Sequence, residues 1–191
     1  MKTEKTFIFI FLFALVLKFF NVPGASVLLI VTTPVLYLLY FPFGFYFFCD
    51  KILTQQNLVL SIMGGMFLSI APMAILFKLL FWPGAGIQLM AAVIFLPVLL
   101  IIIILLSRGP RLDLKIYFKN YITRTVFWLI MSLVFYFTSN ATLIKIQHRN
   151  DPELARLKIQ SYANPDNEAY SDSLDEYLRI ADSIEIARQW E

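Results

Sequence analysis

Two lysines stand in the same short context. Lys18-Phe19-Phe20-Asn21-Val22-Pro23-Gly24-Ala25 and Lys78-Leu79-Leu80-Phe81-Trp82-Pro83-Gly84-Ala85 each place an ammonium five residues ahead of a proline, and the copies lie sixty residues apart. An ammonium in apolar surroundings can hold an anion. At the end of a membrane helix it can also snorkel to the headgroups or cap the last carbonyls. Other groups able to do chemistry are sparse. Cys49 is the single cysteine and His148 the single histidine, so the sequence offers neither an internal disulfide nor a multi-histidine metal site. Ser61, Ser69 and Ser132 carry hydroxyls, but a nucleophilic serine needs a base beside it and the sequence pairs none with them. His-Glu-x-x-His, Gly-x-Ser-x-Gly and the phosphate-binding glycine loop do not occur. The expectation is a chain that is not an enzyme, with no catalytic residues, cofactor or metal.

The elements that carry these residues are set by composition. Of 191 residues, 59% are hydrophobic and 15% charged, and mean hydropathy is +0.73. A soluble domain has about 45–50% apolar and about 25% charged residues. Nineteen phenylalanines exceed what one small soluble core could hide. This excludes a soluble globular enzyme, a disordered chain and a nucleic-acid-binding module, and leaves an all-α polytopic membrane bundle. Charge divides the chain: residues 1–148 carry eleven Lys/Arg against three acidic groups, and residues 149–191 carry five against ten.

Uncharged runs at 19–49, 52–77, 79–107 and 125–144 are each long enough to cross about 30 Å of hydrocarbon, and Phe7–Val22 is interrupted only by Lys18. Five spans follow. A cleaved signal peptide is the competing reading of the first, with Lys2 and Lys5 ahead of Phe7–Leu17 and a cut at Ala25. Lys18 within the apolar run and Pro23 near the cut disfavour it. Pro-Gly at 23–24 and 83–84 reverses the chain between spans one and two and between three and four. Lys2, Lys5, Lys51, Arg108, Arg111, Lys115, Lys119 and Arg124 then share one face, against Lys18, Lys78, Lys145 and Arg149 near the other. Lys/Arg excess marks the cytoplasm. The expected topology is an inner-membrane protein with a cytoplasmic N-terminus and a periplasmic tail. Arg111, Lys115 and Lys119 fall at i, i+4 and i+8, which predicts an interfacial helix over 110–122 with its cations on lipid headgroups, ahead of a fifth span at 125–146.

The two lysine contexts align without gaps from Leu17 to Ser26 and from Phe77 to Gly86. An even number of spans separates them, so they read as a parallel repeat of hairpins, repeat 1 about 7–49 and repeat 2 about 57–107. Lys78, two apolar residues, then Phe81-Trp82-Pro83-Gly84-Ala85 resembles the motif in the membrane hairpin of GldL, the gliding-motility and type 9 secretion motor protein L family of Bacteroidota. The resemblance covers about ten residues in each copy. The family usually has histidine before the tryptophan; here Phe81 stands, and Asn21-Val22 in the first copy. The resemblance implies a membrane hairpin module and a bacterial group. It does not extend to a proton-driven stator, because the family's intramembrane acidic residue has no counterpart in the five runs.

Ser61, Gly65 and Ser69, with Gly64 beside them, form a small-residue stripe that lets another helix approach closely. Pro34, Pro42, Pro72 and Pro97 interrupt spans, and Thr32 and Thr33 can bond backbone groups freed near Pro34. In the tail, 149–191, Asp151-Pro152 starts a helix to about Tyr162, and Ser173 with Glu176 makes a capping box for a second. Leu174, Tyr177, Leu178, Ala181 and Ile184 give that second helix an apolar stripe for a partner. The expected role is a non-enzymatic subunit or scaffold of a bacterial envelope complex, contacting membrane lipids and other membrane subunits and no nucleic acid. The alternative is a small multi-pass transporter or channel component.

Overall fold

The computed structural model describes residues 2–41, 58–108, 115–165 and 167–188. These residues are helical wherever they are regular, and they form two units, divided between Thr138 and Ser139.

The first unit contains α1 (Lys2–Phe19), α2 (Ala25–Tyr40), α3 (Leu58–Leu79), α4 (Ala85–Ser107) and α5 (Lys115–Phe137). Neighbours in sequence pack as hairpins, α1 on α2 and α3 on α4, while α5 lies against both α3 and α4. Phe11, Ala14, Leu29, Leu36, Leu68, Ala71, Leu89, Ala92, Leu96 and Trp128 fill the interior. The outer face is apolar too: Ile87 is 78% and Phe137 79% exposed. Three helical segments are long and apolar enough to cross a membrane, Val59–Leu79, Ala85–Ser107 and Tyr117–Phe137. At about 1.5 Å per residue their 21–23 residues extend roughly 31–35 Å. Ala85–Ser107 has mean hydropathy 3.4 and only 28% of its residues buried, so most of its apolar surface requires a hydrocarbon solvent. Apolar α2 is shorter, and α1 carries Lys2, Glu4, Lys5 and Lys18.

The two Pro-Gly turns have one geometry. Asn21 and Phe81 take left-handed φ of 57° and 56°, and Gly24 and Gly84 take 83° and 86°. The Val22 N–H donates to Leu17 O at 3.0 Å and the Trp82 N–H to Phe77 O at 2.9 Å, the six-to-one bond that closes a helix C-terminus. Ala25 and Ala85 open the returning helices and are buried. Small side chains let α2 and α4 start close to the helices they leave.

Inside the helices, Pro34, Pro72 and Pro97 are accommodated; Pro42 lies outside the described residues. The Thr32 hydroxyl donates to Leu28 O at 2.7 Å, one turn back, and not to Ile30 O, the carbonyl that Pro34 leaves without its helical donor. Thr33 Oγ1 is buried with no partner among the described residues. From 115 onward the structure differs from the sequence expectation. In place of a surface helix over 110–122 and a span at 125–146, one helix runs from Lys115 to Phe137 and another begins at Asn140. Tyr117 and Tyr121 explain the first difference, since both are buried in the bundle and carry the helix inward with them. Ser139 explains the second: its hydroxyl accepts the Thr142 N–H and caps a new helix.

The second unit contains α6 (Asn140–Gln147), α7 (Pro152–Ala163) and α8 (Glu168–Arg188). Asp151 caps α7 as expected, accepting the Leu154 N–H at 3.0 Å with Pro152 in the first turn. The second tail helix starts earlier than Ser173. Asn167 accepts the Ala169 N–H, and Ser173 sits within the helix with its hydroxyl on Ala169 O. An Asx-type start upstream leaves the capping box nothing to cap. The Tyr177 hydroxyl donates to both Asp151 oxygens at 3.0 and 2.9 Å, fastening α8 to the head of α7.

Candidate functional site

The charged centre of the first unit is one the sequence reading did not assemble. Glu4, in the first turn of α1, is 2% exposed. Arg124 on α5 meets it side on, with Nε on Oε1 and Nη2 on Oε2 at 2.5 and 2.6 Å. Tyr40, the last residue of α2, donates its hydroxyl to Glu4 Oε1 at 3.1 Å and accepts the Trp128 indole N–H at 2.9 Å. Trp128 is one turn beyond Arg124, and its ring meets Phe11 and Tyr40 edge to face. Glu4 lies just ahead of the Phe7–Val22 run, outside the five apolar runs, and is nonetheless buried. Glu4 is drawn in because Arg124 and Tyr40 supply three hydrogen bonds that offset its desolvation.

A cavity of about 300 Å³ adjoins this centre, lined among others by Lys5, Asn120, Thr123 and Phe127. With Glu4 and Arg124 on the same wall, it offers one anionic and two cationic groups to whatever enters. The carboxylate is already committed to its three donors.

A second polar row ties α3 to α5. Ser61 Oγ meets the Tyr117 hydroxyl at 2.5 Å, and the Tyr121 hydroxyl donates to Leu60 O at 2.9 Å. Gly64 makes room: a Cβ there would lie 1.0 Å from the Tyr121 hydroxyl oxygen. Ser61, Gly65 and Ser69 are all buried. The small-residue stripe thus faces the protein interior, and α5 meets it at Ser61 and the neighbouring Gly64.

The other residues singled out by sequence are dispersed. Lys18 Nζ donates to Ser26 Oγ at 2.9 Å across its turn. Gly86 stands at the corresponding place in the second copy, so no hydroxyl is there for Lys78. Trp82 packs edge to face on Phe77 and remains partly exposed. Lys119 is exposed and Lys115 opens α5, while Arg111 lies outside the described residues. Along α8, Leu174 and Tyr177 are half-buried, Leu178 and Ala181 are exposed, and the side chain of Ile184 lies outside the described residues. No cluster of three His, Cys, Asp or Glu is placed to hold a metal among the described residues. A comparison with known families, curated proteins and solved structures finds no match to this chain.

Proposed function

We propose that this chain is a five-span inner-membrane protein with a cytoplasmic N-terminus and a periplasmic tail, acting as a non-enzymatic subunit or scaffold of a bacterial envelope complex. The observation that carries this reading is the closed hydrogen bonding of Glu4. Its carboxylate takes two bonds from Arg124 and one from Tyr40, so this acidic group acts as a tie between helices. Ionisable groups inside a bundle pair with one another or with backbone carbonyls, and this one is spent on joining α1 to α2 and α5. The two Pro-Gly turns, equal in their backbone bonds, support a parallel hairpin repeat. The outer apolar faces and the exposed Leu178 and Ile180 of α8 supply surface for other membrane subunits.

The test is co-purification from mild detergent, wild type beside Leu178→Asp/Ile180→Asp. The expected result is a set of envelope proteins with the wild type that the variant loses while remaining folded. The transporter reading is favoured by one observation, the cavity beside Glu4 and Arg124. Ion or proton flux in proteoliposomes, present with wild type and lost with Glu4→Gln, would replace the scaffold.

A further inference from the structure

A larger cavity, about 590 Å³, lies within the second unit between α6 and α7. Lys145, Arg149 and Arg156 supply three permanent cations to its lining, and His148 a polar ring. Pro152, Ala155 and Ile159 make the apolar part. The positive charge continues behind the ring, where Lys158 Nζ lies 3.1 Å from His148 Nε2.

Asp151 is engaged by the Leu154 N–H and the Tyr177 hydroxyl, while Glu153 meets Arg156 itself at 2.6 Å on the open surface, an exposed contact that a phosphate would replace. Charge is also segregated along the tail. Residues 145–158 carry four Lys/Arg against two acidic groups, whereas α8 carries six acidic groups against two arginines. The overall acidity of the tail therefore conceals a basic, part-apolar pocket. Two residues, Thr138 and Ser139, join α6 to a helix long enough to span a membrane.

We propose that the α6–α7 cavity binds the phosphate of an anionic membrane lipid, with Lys145, Arg149 and Arg156 as its cations and Pro152, Ala155 and Ile159 against the glycerol and first acyl carbons. Guanidinium and ammonium groups take phosphate oxygens through charge-assisted hydrogen bonds, arginine bidentately. A bare phosphate ion would leave most of the volume empty and make no use of the apolar wall. The inference takes its ligand source from the membrane reading, and it goes beyond that reading in naming a site.

The experiment uses the full chain in neutral maltoside detergent, titrated with dihexanoyl phosphatidylglycerol, dihexanoyl phosphatidylcholine and inorganic phosphate. Wild type should bind the glycerol lipid, more weakly as salt rises, and bind the choline lipid and phosphate at least tenfold more weakly. Each basic residue beside an anionic lipid surface contributes about fivefold in affinity, so Arg149→Gln/Arg156→Gln should lose about 30-fold. Lys145→Gln/Arg149→Gln should lose as much while sparing the Arg156–Glu153 contact. Arg179→Gln, exposed on α8 and outside the lining, should change nothing. Unchanged affinity in both double variants overturns the site. Equal affinity for inorganic phosphate overturns the lipid source. Salt-sensitive self-association in place of lipid binding would assign the pocket to the acidic α8 of a second copy, and also overturns the proposal. A chain soluble and monomeric without detergent would instead remove the membrane reading itself.

Discussion

Arg124 and Glu4 form the interaction with most at stake in the bundle, because each is costly to bury without the other. Taking Arg124 to Met leaves a carboxylate enclosed with only the Tyr40 hydroxyl and no cation. Breaking a buried pair from one side costs about 3–5 kcal/mol. Replacing both residues by apolar ones of similar size is often neutral or stabilising. Arg124→Met should therefore lower the stability of the bundle by that amount, and Glu4→Leu/Arg124→Met should regain most of it. Thermal or SDS-induced unfolding in micelles, followed by helical circular dichroism, reads both. A double variant as weak as the single would mean that the pair does more than tie α1 to α5. Gly64 illustrates the same scale in steric terms: a methyl at that position needs space that the Tyr121 hydroxyl already occupies.

Among the elements, the two Pro-Gly turns and the cap of α7 carry separate expectations. Gly24 and Gly84 have φ of 83° and 86°, and a Cβ at either would meet nothing within 4 Å. Substitution by Ala therefore tests backbone strain alone, about 1–2 kcal/mol for an L residue in the left-handed region. Gly24→Ala and Gly84→Ala should each cost about that much, and by similar amounts if the hairpins are equivalent repeats. A gap between them larger than about 1 kcal/mol would break the equivalence. In the tail, the Leu154 N–H holds the Asp151 carboxyl below the usual carboxylate range, with smaller contributions from Tyr177, the Glu153 N–H and His148. The hydrogen bond to Asp151 in turn pushes the Tyr177 hydroxyl up. The depressed carboxyl contributes stability that is present above its unfolded value of about 3.9 and is lost as pH falls through the lower folded value. The raised hydroxyl contributes below about 10 and loses its contribution as pH rises through the higher folded value. Hydrogen exchange at the start of α7 should accordingly speed up below about pH 4 and above about pH 10, and Tyr177→Phe should remove the alkaline arm and shrink the acidic one, because the Tyr177 hydroxyl also helps to hold the Asp151 carboxyl low.

At the scale of the whole molecule, what sequence could reveal depended on distance along the chain. The helical class, the two turns and the Asp151 cap are local, written in runs of apolar residues and in Pro-Gly or Asp-Pro pairs. The Glu4–Arg124 tie spans 120 residues and follows no spacing rule. Glu4 read as one charge among Lys2 and Lys5 at a polar end, and Arg124 as one more cation in a basic connection. The inward run of α5 was hidden similarly, because Lys115 and Lys119 mark a surface helix while Tyr117 and Tyr121, between and beyond them, choose the slot at Gly64.

Topology is the remaining property of the whole molecule, and it follows from charge. Eight Lys/Arg fall on the side assigned to the cytoplasm and four near the other. Such an excess orients a multi-span protein because translocating basic loops is disfavoured. The structure adds a condition: Glu4 and Arg124 meet directly, so the start of α1 and the early part of α5 must lie at the same end of the bundle. Where all five helices cross, α1 and α5 run the same way and start on one face, as the pair requires. Four spans would place the two helices antiparallel, with their N-terminal ends on opposite faces and the pair unmade. Alkaline phosphatase fused after Arg188 should therefore be active, and the same reporter fused after Arg108 inactive. Activity only at 108 would invert the bundle, and activity at both would require an even number of crossings between them, which the single span α5 does not provide.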